Sequence, residues 1–129
     1  MKHLLFMAAL LMPIGCWASD KNGKYRETYT ADHGSCASFL LAQNECSHGR
    51  CRDLNTFSDW LMGYITSYNS STPDTFDIVA KTDLNNSIIW LGNYCKQHPS
   101  NKYSQAVQSL MIELYPKRQK LKPKDWVEK

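Results

Sequence analysis

The chain has 129 residues, a formal net charge of +3 and five cysteines. That length suits one domain with a modest core. The charge is too small and too local for a nucleic-acid-binding face: residues 117–129 hold six basic and two acidic side chains, so the rest of the chain after residue 18 is about −2.

Residues 1–18 have the layout of a secretory signal peptide. Lys2 and His3 precede an apolar run from Leu4 to Ile14, and Cys16 and Ala18 stand at −3 and −1 of a cut before Ser19. The run is too short for a permanent bilayer span, so no stable membrane insertion is expected. Lipidation at Cys16 is the alternative, and Pro13 fits it poorly. Cleavage leaves Cys36, Cys46, Cys51 and Cys95. An even number of cysteines in an exported chain reads as a disulfide set, and four allow three pairings.

Residues 19–34 are polar without a sustained period and read as a flexible arm, with "KYRETYT" alternating enough for a short edge strand. Ser35 is placed to cap a helix over "CASFLLAQNE", on which Cys36, Phe39, Leu40 and Gln43 share a face. "CSHGRC" forms a tight loop around Gly49. A second helix follows over "FSDWLMGYITSYN", capped by Asn55 or Thr56, with Asp59 in its first turn. Phe57, Trp60, Leu61, Tyr64, Ile65 and Tyr68 make its apolar face. "NSSTPDTFDIVAKT" reads as a long connection.

Thr82 or Asp83 caps the third predicted helix, "LNNSIIWLGNYC". Leu84, Ile88, Leu91 and Cys95 form its stripe, and Ile89 and Trp90 widen it. Lys96 and His98 suit the C-terminal dipole, and Pro99 stops the helix. Ser100 or Asn101 caps the fourth, whose inward face is Tyr103, Ala106, Val107, Leu110, Met111 and Leu114, and Pro116 ends it. The expected fold is an all-α, single-domain bundle of about four amphipathic helices over residues 35–116, stapled by disulfides, with a basic tail over 117–129.

Cys36 and Cys95 both face inward at helix ends, which points to a bridge between the first and third helices and leaves Cys46 and Cys51 to close their own loop. Two rival chemistries are weaker. Cys95 as a nucleophile would need exposure and a base, but it lies on an apolar stripe, and Pro99 breaks the helix beside His98. Cys46, His48 and Cys51 are three metal-compatible side chains within six residues, yet in an oxidising compartment a small disulfide loop is the plainer reading. There is no HExxH, GxSxG, CxxC or phosphate-cradling glycine loop, and "DTFDIVAKTD" lacks the glycine and glutamate of a calcium hand. No enzyme, metal or cofactor is expected. The aromatic side chains of the second helix are core by spacing, with a ligand groove as the alternative.

"SCASFL", "FSDWLMGYITSYN", "KTDLNNSIIWLGNYC" and "YCKQHPSNKYSQAV" together resemble the HdeA/HdeB family of periplasmic acid-stress chaperones, the HdeB branch more closely, over about Ser35 to Leu114. The resemblance implies a bacterial periplasmic protein without catalysis, a Cys36–Cys95 bridge, and a homodimer at neutral pH that opens in acid to hold unfolding clients. "CSHGRC", "GYITSYN" and "ELYPKRQKLKPKDWVEK" depart from that family. "GYI", the "HP" turn and "LYP" are similar instead to the Tai-type immunity proteins of type VI secretion, which bind and block a toxic effector. Either resemblance implies a protein partner. The contact candidates are Phe57, Trp60, Tyr64, Tyr68 and Trp90. In acid the chain after residue 18 would carry 14 lysines and arginines and three histidines, a self-repulsion that favours loosening.

Overall fold

The computed structural model describes residues 34–80 and 82–124. The leader, the arm up to residue 33 and the last five residues of the tail lie outside the described residues. Four helices pack together: α1 Cys36–Ser47, α2 Arg52–Ser71, α3 Leu84–Gln97 and α4 Tyr103–Leu114, the last running into a 3-10 turn over Tyr115–Lys117. Among the described residues there is no strand, and no helix is long and apolar enough to cross a membrane.

α1 begins where expected. Ser35 accepts from the Ser38 N–H at 3.0 Å, satisfying one of the free donors of the first turn. The helix ends in a Schellman turn: Arg50 N–H reaches Glu45 O (3.0 Å), and Gly49 N–H reaches Cys46 O (2.9 Å). Gly49 has φ +86, a conformation that strains any residue with a Cβ. This turn and the Cys46–Cys51 bridge deliver the chain directly into α2.

α2 therefore starts at Arg52, earlier than the expected caps Asn55 and Thr56. Cys51 holds the cap position, Asn55 N–H makes its helical bond to Cys51 O (2.9 Å), and Asp53 rather than Asp59 is the first-turn acid. Leu54, half-buried one turn before Phe57, extends the apolar stripe backwards. Serines and threonines do not break the helix, because Ser58, Thr66 and Ser71 hydroxyls bond back to the carbonyls of Leu54, Met62 and Ser67. Thr72 is extended, as the residue before a proline is forced to be, and ends α2.

α3 is capped by Asp83, whose carboxylate accepts from Asn86 N–H at 2.7 Å. Its buried face is Ser87, Leu91, Gly92 and Cys95, rotated from the expected stripe. Ile89 is 58% exposed instead of widening the core, and Ile88 and Trp90 are half-buried. The reason lies on α1. The Gln43 amide bonds Ile88 O (3.4 Å) and sits where a Cβ on Gly92 would stand only 2.7 Å away. Small residues let α1 approach on the Ser87–Gly92 side, and the Ser87 hydroxyl is satisfied by Asp83 O.

α4 buries all six residues expected of it. Its start differs: Lys102 is the cap residue, its N–H held by Gln105 Oε1 at 2.9 Å. Asn101 is otherwise engaged. Its carbonyl accepts from Cys36 N–H (2.8 Å), and its side chain donates to Tyr94 Oη (3.1 Å). Tyr103 N–H bonds Gly34 O, so the chain before α1 and the chain before α4 form a short antiparallel bridge. The start of the tail is docked too: Gln119 exchanges backbone bonds with Asp77, and Arg118 Nε donates to Asp74 O and Thr75 Oγ1 at 3.1 Å each.

Both disulfides pair as the helix faces indicate, Cys36 with Cys95 and Cys46 with Cys51. Their sequence separations are 59 and 5. Loop-closure entropy then makes the long bridge worth about 4 kcal/mol and the short one about 2 kcal/mol. Urea unfolding should order the variants accordingly, with Cys36→Ser/Cys95→Ser losing about twice the stability lost by Cys46→Ser/Cys51→Ser. Equal losses would contradict the loop-length ranking. Gly49→Ala should cost about 1–2 kcal/mol from backbone strain alone, since nothing lies within 4 Å of the added Cβ.

Candidate functional site

Most rings among the described residues fall into a closed core group and two half-exposed stacks. The core group joins three helices. Phe39 of α1, Phe57 of α2 and Tyr103 of α4 meet pairwise at centroid distances of 5.3, 4.8 and 4.8 Å. Each such contact adds about 0.5–1.5 kcal/mol beyond the area it buries. Phe57 is 1% exposed, so this contact candidate is a core residue and offers nothing to a partner in the folded state.

The other candidates stand at i, i+4 spacing on two helices. On α2, Trp60 stacks on Tyr64 (5.4 Å, 29°) and Tyr64 on Tyr68 (6.5 Å, 24°). On α3, Trp90 stacks on Tyr94 (5.5 Å, 17°), and Tyr94 meets His98 at 4.5 Å. The first row is tied to the core by Trp60, whose ring touches Tyr103 at 5.7 Å. The second is fixed by hydrogen bonds from Asn101 and Ser109 to Tyr94 Oη. The rings face one another within each row, so an incoming surface meets ring edges and hydroxyls rather than open faces.

Charge is absent from the same flanks. No Asp, Glu, Lys or Arg occurs from Trp60 to Pro73, from Leu84 to Cys95 or from Tyr103 to Ile112. Apart from Asp59, exposed on α2 just before Trp60, charged side chains gather at the helix ends and corners, with surface pairs at Arg50–Glu45 (4.0 Å) and Lys117–Glu113 (3.0 Å). Around the α2 row the exposed residues are Asp59, Met62, Gly63, Thr66, Ser67, Ser70 and Ser71, so the one charge stands at the N-terminal edge of the row. A Tyr-, Ser- and Thr-rich surface of this kind makes adaptable hydrogen bonds at low entropic cost. The single-residue signal for it was present in the sequence as an uninterrupted neutral run, but helix periodicity alone does not reveal it.

Neither cysteine site presents a free thiol in this structure. Cys95 is bonded to Cys36 and fully buried. Both thiols of "CSHGRC" are in their own bridge, and His48 Nδ1–H donates to Asn44 O at 2.8 Å. Among the described residues no group of three or more His, Cys, Asp or Glu side chains is arranged to hold a metal. The chain matches no protein-family model, no curated protein and no solved structure. Its likeness to the HdeA/HdeB and Tai-type groups rests on the motif residues alone.

The ring positions predict a graded response to truncation. Phe57→Ala should cost about 3–5 kcal/mol in urea unfolding, as for any buried ring. Tyr64→Ala and Tyr68→Ala should each cost clearly less than Phe57→Ala, since both rings pack against the core but stay half-exposed. A loss at Tyr68 as large as that at Phe57 would place the α2 row in the core and remove it as a surface.

Proposed function

We propose that this chain is a non-enzymatic protein-binding module that uses the neutral flank of α2 around Trp60, Tyr64 and Tyr68. The observation that carries the reading is the coincidence of half-exposed, pre-stacked rings with a run free of charge from Trp60 to Pro73. Rings on a rigid helix give contact area without much ordering cost. In HdeA/HdeB-like form, the protein would act in the periplasm and hold unfolding clients in acid. The Cys36–Cys95 tie would then keep opening partial and recovery simple.

A second reading, an immunity-type inhibitor of a secreted effector, is favoured by one specific observation. The buried polar side chains among the described residues are Thr75 and Ser87, and neither titrates across the acid range. Acid would therefore act on groups at the surface, since no carboxylate or histidine among the described residues is buried, whereas the ring rows are already arranged in the folded protein.

Aggregation of an acid-unfolded client below about pH 4, where carboxylates are largely protonated, separates the two. The chaperone form predicts suppression without nucleotide and ANS binding over the same pH range. Trp60→Ala/Tyr64→Ala should weaken it, and added salt should lessen the opening by screening the self-repulsion. A protein that stays compact and inert in acid, yet holds one effector at neutral pH, would overturn the chaperone form in favour of the immunity form.

A further inference from the structure

The two disulfides occupy opposite environments. Cys36 and Cys95 are fully buried, whereas Cys46 and Cys51 are half-exposed at the α1–α2 corner. The outer bridge is also electrically lopsided. Cys46 lies in the last turn of α1, at the negative end of that helix dipole. Cys51 is the cap residue of the 20-residue α2, at its positive end, between Arg50 and Arg52. Glu45 and Asp53 are the acids of the same corner, and Glu45 faces Arg50 at 4.0 Å. The side-chain charges thus balance, and the helix dipoles decide which sulfur better carries a negative charge.

We propose that Cys46–Cys51 is a site of thiol–disulfide exchange with a dithiol reductant, open in the native fold while Cys36–Cys95 stays closed. A reductant thiolate attacks Cys46 Sγ and forms a mixed disulfide there. The Cys46–Cys51 bond breaks, and Cys51 leaves as a thiolate at the α2 N-terminus, where a good leaving group is favoured. The second thiol of the reductant, as thiolate, then attacks its own mixed-disulfide sulfur and releases Cys46. Two electrons pass to the protein, which gains two thiols after proton uptake, and the dithiol becomes a disulfide. The opened corner is a hinge. α2 stays anchored by Phe57, Leu61 and Ile65, so only the turn before Phe57 loosens.

The test treats the oxidised, folded protein with dithiothreitol without denaturant, quenches with iodoacetamide and maps the labelled cysteines by mass. Cys46 and Cys51 should be labelled at least about 100-fold faster than Cys36 and Cys95, whose access needs rare global opening. Far-UV circular dichroism should be retained. Hydrogen exchange should rise across residues 46–56 and stay unchanged over 57–71. With glutathione as a single thiol, the acid-trapped adduct should sit on Cys46. Simultaneous opening of both bridges, loss of helix on outer reduction, or an adduct on Cys51 would each overturn the proposal. Cys46→Ser/Cys51→Ser, carrying only the inner bridge, should resist labelling in the same reductant. Rapid labelling of Cys36 or Cys95 in that variant would also overturn it.

Discussion

One junction governs this fold: the start of α1 is fastened to the α3–α4 turn. The Cys36–Cys95 bond joins α1 to the end of α3, and the backbone bonds Cys36 N–H to Asn101 O and Tyr103 N–H to Gly34 O join it to the start of α4. Three helix ends are thereby held at one place. The Phe39, Phe57 and Tyr103 rings close over the same region and add α2. A bundle of this size has only a modest core, and a covalent tie across 59 residues adds about 4 kcal/mol to it.

Much of this was legible in the sequence. Four amphipathic faces, the Ser35 and Asp83 caps and both cysteine pairs follow from period and position. What escaped it depended on neighbours. Asn101 does not cap α4, because Cys36 and Tyr94 claim its carbonyl and side chain. Ile89 is exposed because the Gln43 amide over Gly92 turns a smaller face of α3 inward. α2 starts before Asn55 because the Schellman turn and the Cys46–Cys51 bridge leave no slack between helices. The candidate surface was half legible: periodicity placed Phe57, Trp60, Tyr64 and Tyr68 on one face, but only packing separates buried Phe57 from the half-exposed rows.

The segregation of charge links the fold to its proposed role. With every carboxylate and cation of the described helices except Asp59 near a helix end, the flanks of α2 and α3 contact their surroundings mainly through rings, hydroxyls and amides. Such a flank recognises a partner by shape and hydrogen bonding rather than by charge steering. The stapled junction holds the helices that bear these rows, and the half-exposed corner at Cys46–Cys51 lies away from it at the other end of α1.

Native-state hydrogen exchange at individual amides tests the primacy of the junction most directly. The amides of Cys36 and Tyr103, which bond across it, should exchange only through global unfolding, as slowly as those of Leu91 and Leu110 in the helix interiors. Exchange at Cys36 and Tyr103 as fast as at the α2 ends, Asn55 and Thr72, would show a frayed contact and contradict the account.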